Sequence, residues 1–141
     1  MKNESFYIDK KILLMDPDGL VRDSMSLFLE DMGCYVKTSS TVKDALQSLL
    51  EEAYDVVICA HNMPEMDGLD FLRHIRTIYP NMLKVLEGGE NSSMEFFDEA
   101  RMAGANEIIH KPFTAKDVQE MIGRLNKKYL LLGIINRSAG L

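Results

Sequence analysis

The side chains able to do chemistry follow short apolar runs. Residues 54–68 read YDVVICAHNMPEMDG, and in them Val56, Val57, Ile58, Cys59 and Ala60 give way at once to His61 and Asn62. The run is short and partly β-branched, which predicts a strand buried on both faces of a sheet. Met63 and Pro64 break it, Asp67-Gly68 supplies a turn, and Leu69 opens a helical stripe. In a parallel strand–loop–helix unit, ligands lie outside the carboxyl ends of the strands, so Ala60, His61 and Asn62 line whatever site exists. A histidine there could serve as a nucleophile. Carboxylates stand at two further strand ends: Asp16 in Asp16-Pro17-Asp18-Gly19, and Glu87 before Gly88-Gly89.

These ends must be positioned by a regular alternation of elements. Residues 12–15 predict the first buried strand, and Val21, Met25, Phe28, Leu29 and Met32 form the stripe of a helix that Gly33 closes. Residues 35–38 predict a short second strand, nearer an edge because Lys37 interrupts it. Thr41 with Asp44 caps a helix whose inner face carries Val42, Ala45, Leu46, Leu49 and Leu50. After the central strand, Leu69, Leu72, Ile75 and Tyr79 mark a third helix that ends before Pro80. Residues 83–86 and 107–110 predict strands four and five. Between them Ser92 and Glu95 cap a helix with Phe96, Phe97, Ala100 and Ala103, and Thr114 with Asp117 caps the last helix, with Val118, Met121, Ile122 and Leu125 inward. Alternating strands and helices imply right-handed crossovers and a parallel sheet covered on both faces.

The totals narrow the function. One domain of ordinary size accounts for 141 residues. A net charge of −6 gives no electrostatic reason to bind nucleic acid. The apolar stretch at residues 129–135 is too short to span a bilayer, and residues 1–10 have no signal-peptide core, so neither a membrane role nor export is expected. Cys34 and Cys59 form no CxxC or metal cluster and read as reduced, interior thiols of a cytoplasmic protein.

At MPEMDG (residues 63–68) and HKPF (residues 110–113) the chain resembles the receiver domains of two-component response regulators, over roughly residues 11–125. The resemblance implies an α/β, three-layer doubly wound (βα)5 sandwich with a parallel five-stranded sheet in the order 2-1-3-4-5. Residues 1–10 would be an N-terminal segment, 11–126 the receiver-like domain, and 127–141 a helical extension and tail. No enzymatic activity is expected of such a module.

In that family the central strand ends on an aspartate that accepts a phosphoryl group, beside acidic residues that hold magnesium and a hydroxyl and a lysine that receive phosphoryl oxygens. Carried over, the acidic pair falls on Asp16 and Pro17, and the phosphoacceptor position falls on Ala60, whose methyl group can neither coordinate metal nor attack phosphorus. The hydroxyl position falls on Gly88, or on Gly89 counting back from Gly104. Lys111 is kept, followed by Pro112, whose bond the family holds cis. The aromatic that relays phosphorylation falls on Ile108. The resemblance therefore implies a degenerate pseudo-receiver without cofactor, in which Asp16 is a weak candidate for magnesium. Asp16 is expected to pair with Lys111 instead, in a solvent-screened contact worth about 1 kcal/mol or less. Glu87 reads as a solvated loop residue or, alternatively, as a carboxylate turned into the vacated pocket toward Lys111.

Function then moves to protein contact. The expected surface is helix four, strand five and helix five, with Ile108, Pro112 and Phe113 beside it, and the expected partner is a signalling protein or a histidine kinase. The apolar residues Tyr129-Leu130-Leu131-Leu132-Gly133-Ile134-Ile135 extend that surface. They would be covered by a partner, by Phe6, Tyr7 and Ile8, or by a second subunit, unless the last helix runs on and stops at Gly133. Two other readings stay open: phosphotransfer with Asp16 or His61 as acceptor, although alternation turns His61 away from Lys111, and a small ligand in the vacated pocket. Against the ligand, no Gly-rich phosphate loop follows strand one.

Overall fold

The computed structural model describes residues 9–89 and 93–138, with side chains to Leu131. Five strands, β1 (Lys11–Met15), β2 (Tyr35–Ser39), β3 (Val56–Ala60), β4 (Leu83–Gly88) and β5 (Glu107–His110), alternate with five helices. These are α1 (Gly19–Asp31), α2 (Val42–Glu51), α3 (Gly68–Arg76), α4 (Met94–Met102) and α5 (Ala115–Ser138). All pairings are parallel, and the strand order is β2-β1-β3-β4-β5. The lysine-bearing strand β2 is an edge, which fits its half-polar pattern.

Alternation along each strand divides the core. Leu13, Met15, Val57, Cys59 and Leu86 face α2, α3 and α4. Ile12, Leu14, Val56, Ile58 and Val85 face α1 and α5. Phe71, absent from the expected stripe of α3, is fully buried, whereas Leu50 of α2 is 79% exposed. The side-chain caps explain where the helices start. Asp18 accepts from Leu20 N, Thr41 from Asp44 N and Asp67 from Leu69 N. Thr114 and Asp117 cap reciprocally. For α4 the cap is Ser93, which accepts from Phe96 N; Ser92 lies outside the described residues. Asp18 is thus the N-cap of α1 and not part of its first turn.

Helix α5 continues through Gly133 to Ser138. The expected stop at Gly133 does not occur, because one glycine costs a helix only about 1 kcal/mol and the turns on either side are rich in helix formers. Its first half buries Val118, Met121, Ile122 and Leu125 against the sheet. Glu107 of β5 then accepts from Arg124 Nε at 2.6 Å and from Lys128 Nζ, and the Tyr129 ring lies 3.6 Å from Lys10 Nζ. Leu130 and Leu131 beyond it are 58% and 59% exposed. Phe6, Tyr7 and Ile8, one expected cover for these leucines, lie outside the described residues. No helix among the described residues is long and apolar enough to cross a membrane.

Candidate functional site

Four neighbouring strands deliver one residue each to the carboxyl edge of the sheet: Asp16 directly after β1, Ala60 ending β3, Glu87 in β4 and Lys111 directly after β5. The register aligns them. Met15 is opposite Cys59, Ala60 opposite Glu87, and Gly88 opposite His110. The ladder carries on past the strand ends, with His61 N donating to Glu87 O at 3.0 Å and Lys111 N to Gly88 O at 2.9 Å. Asp16, Ala60 and Glu87 are all buried.

Asp16 is the hub. Its Oδ1 accepts from Asp18 N at 2.8 Å, its Oδ2 lies 2.7 Å from Lys111 Nζ, and its carbonyl oxygen accepts from Arg22 at 2.6 Å. The expected pairing with Lys111 is present, but Asp16 is wholly buried while the lysine is one-third exposed. The contact is therefore not the solvent-screened surface pair the sequence suggests, because both lips of the site shield the carboxylate.

Glu87 is neither solvated nor in a loop. It is 1% exposed, and β4 extends through it to Gly88. Neither of its carboxyl oxygens has a hydrogen-bond partner among the described residues, and the register sets it two strands from Asp16 with Ala60 between them. Burial, and after it the neighbouring Asp16 carboxylate, hold its pKa well above the ordinary range, against the opposing pull of Lys111. The same burial and carboxylates push the Cys59 thiol up, so it is no nucleophile.

The remaining site residues surround this cluster. Pro17 is exposed at the mouth, in a shallow depression with His61, Asn62, Met63, Pro64 and Asp67. The Lys111–Pro112 bond is cis. Pro112 and Phe113 join Leu20, Val21, Ser24, Gly89 and Lys111 around a cleft of about 510 Å3 between α1 and the β5–α5 connection. Ile108 is half-buried against the core on the α2–α3–α4 side. His61 Nε2 lies 3.3 Å from Asp67 Oδ2, and its ring is tilted 57° to that of Phe96 with centroids 5.0 Å apart. Phe96 contacts Phe97 at 6.3 Å, Phe97 contacts His110 at 5.2 Å, and His110 Nδ1 bonds Gly89 O at 3.0 Å. The sequence reading missed this ring series; the paired phenylalanines opening α4 between two strand-end histidines were its signal.

The donor set does not fit magnesium. Asp16 Oδ1 is taken by a backbone N–H, and Oδ2 forms an ion pair with the Lys111 ammonium at 2.7 Å. Lys111 occupies the side of Asp16 where a hard cation would need further carboxylates and water. Among the described residues no three His, Cys, Asp or Glu side chains converge as a metal-binding group.

Comparison with known proteins gives a consistent result. The response regulator receiver domain family matches residues 12–123. The response regulator protein FleR of Pseudomonas aeruginosa is 34% identical over 114 residues, which is 81% of this chain and 24% of FleR. The transcriptional regulatory protein FlgR of Helicobacter pylori is 33% identical over 118 residues, 83% of this chain and 30% of FlgR. The chain thus spans about a quarter to a third of these two relatives. Among solved structures, the chemotaxis response regulator CheY4 of Vibrio cholerae superposes with a TM-score of 0.77 at 27% identity, covering 83% of this chain and 98% of CheY4.

Proposed function

The chain belongs to the response regulator receiver domain family of two-component signalling, and from that premise we propose a pseudo-receiver that works by protein contact without accepting a phosphoryl group. Receiver domains are in general non-enzymatic signalling modules, and no catalysis is assigned here. One observation carries the reading. Ala60 ends β3 between buried Asp16 and buried Glu87, with Lys111 already paired to Asp16 at 2.7 Å. Phosphoryl transfer needs a nucleophile and a cation free to spread the developing charge; position 60 offers a methyl group, and the Lys111 ammonium is already paired with Asp16. Asp16 is fully buried and His61 is turned toward Asp67 and Phe96, so neither suits the acceptor role. A magnesium cofactor has no part in this reading.

Residues 11–126 would form the receiver unit, and the contact surface would be α4, β5 and α5. Met94 and Met102 of α4 are 74% and 75% exposed, and Leu130 and Leu131 lengthen the apolar area along α5. The partner class is a signalling protein, a histidine kinase or a second copy of the chain, met in the cytoplasm of a bacterial-type system. Nucleic acid and membrane are not among the proposed partners of this domain. The test is intact mass after incubation with acetyl phosphate and magnesium. No added phosphoryl group is expected; a gain of one on Asp16 or His61 would overturn the reading.

A further inference from the structure

The strand order places Ala60 between Asp16 on β1 and Glu87 on β4. Parallel neighbours are about 4.8 Å apart, so two strands flanking a third stand about 10 Å apart at the backbone. Two acidic side chains, one of them as long as glutamate, can meet across that gap only above a small residue. Ala60 supplies a single methyl group there, buried and level with Glu87 in the register. Lys111 arrives from the far side of β4 and closes on Asp16 at 2.7 Å. Apart from that ion pair, both Glu87 oxygens and Asp16 Oδ2 are buried with no hydrogen-bond partner among the described residues, so the two carboxyl groups are the polar groups left to face each other across Ala60.

We infer that the strand-end site is closed from within: Glu87 is its internal occupant, and Ala60 is the gap across which Glu87 and Asp16 meet. This autoinhibitory contact deepens the silent-site reading above and rests on it, because it says what fills the place where a ligand or phosphoryl group would sit. Positions 60 and 87 are then a coupled pair. A larger or acidic side chain at 60 collides with the bridge while Glu87 is present, and is accepted once Glu87 is removed. Among the described residues the cations that touch this hub are Arg22, which holds the Asp16 carbonyl, and Lys111, so one ammonium would face three carboxyl groups in an Ala60→Asp variant.

The test is a thermal-unfolding cycle of the parent, Ala60→Asp, Glu87→Met and the double variant. Ala60→Asp alone should lower Tm by about 8 °C or more, and adding Glu87→Met should recover more than half of that loss. If Ala60→Asp does not fold while the double variant does, the inference is upheld in its strongest form. If neither folds, Ala60→Ser with and without Glu87→Met makes the same comparison with less bulk and no charge. Equal losses at position 60 whether residue 87 is Glu or Met overturn the pair. That failure would leave a silent parent in the acetyl phosphate experiment, whereas phosphorylation of the parent would overturn the silent-site reading and leave the cycle as measured.

Discussion

Lys111 Nζ reaches from the end of β5 across β4 and β3 to lie 2.7 Å from Asp16 Oδ2, beside β1. One side chain thus ties together four of the five strands at their carboxyl ends. Its stem also walls the cleft that Leu20, Pro112 and Phe113 share. The pair joins a buried anion to a partly wet cation, so removing the cation leaves the larger penalty.

Lys111→Met should therefore destabilise the fold by roughly 2–3 kcal/mol, below the full cost of breaking a buried pair because the lysine is one-third exposed. Asp16→Asn combined with Lys111→Met should lose less than Lys111→Met alone, since no uncompensated charge remains. Urea unfolding of the two variants checks this. Equal losses would show that the carboxylate is not the group the lysine serves.

Glu87 sets a pH dependence of definite sign. Its folded pKa is raised, chiefly by burial and then by the neighbouring Asp16 carboxylate, so the fold keeps a proton that the unfolded chain releases near its ordinary value of 4.5. The contribution is fully present below that value and is lost as pH rises through the folded pKa. Glu87→Gln keeps a donor for Asp16 but cannot ionise. It should flatten the stability profile between pH 5 and 8 and gain about 1 kcal/mol or more at pH 8. Urea midpoints at both pH values decide it; identical slopes in parent and variant would remove Glu87 from the account.

What the sequence made legible follows from how local each feature is. Strands β1 and β3 are continuous apolar runs, and the caps Thr41, Asp67 and Thr114 act within a few residues, so periodicity and cap chemistry find them. The Asp16–Lys111 pairing was legible because both residues end parallel strands. Glu87 was not. A glutamate after Leu83-Lys84-Val85-Leu86 reads as an exit from the strand, and the carboxyl it faces in the interior follows β1, far away in the chain. Leu50 failed for a related reason, since it lies on the apolar margin of α2 and only the width of the contact with the sheet decides that it is exposed. At α4 the cap is Ser93, one residue after the serine that the capping-box pattern points to.

Gly68 tests the loop that carries MPEMDG. Its N–H bonds His61 O at 2.8 Å, closing the loop on itself. A β-carbon there would run into the Ala60 carbonyl oxygen and sit 2.9 Å from His61 Cα, both backbone atoms of the central strand end. Neither can yield without shifting β3. Gly68→Ala should cost roughly 3 kcal/mol. Gly123→Ala, where nothing lies within 4 Å of the added carbon, should instead gain up to about 1 kcal/mol from helix propensity. Thermal unfolding of both reads the contrast, and a harmless Gly68→Ala would mean the loop is looser than its contacts indicate.

Tyr129 decides how far the body of the domain controls α5. Its ring carries Lys10 Nζ at 3.6 Å, its hydroxyl lies 3.4 Å from Asp55 Oδ1, and Asp55 Oδ2 accepts from Lys11 N at 2.8 Å. The side chain also covers Ile12, Val56, Leu83, Ile122 and Leu125 at the amino-terminal edge of the sheet. Glu107 holds the turn before it through Arg124 and Lys128, so Tyr129 is the last contact by which the described side chains fasten the helix. Tyr129→Ala should cost about 2 kcal/mol, less than for a fully buried aromatic because the ring is only half covered. Its local effect should be larger than its global one. Amide exchange along residues 129–138 should speed up by at least about tenfold, while residues 115–125, anchored by Val118, Met121 and Ile122, keep their protection. Loss of protection along the whole helix would place the anchor at the core stripe instead. Unchanged exchange beyond Tyr129 would mean that the extension holds itself together through its own leucines, in which case any signal passing along α5 does not depend on this contact.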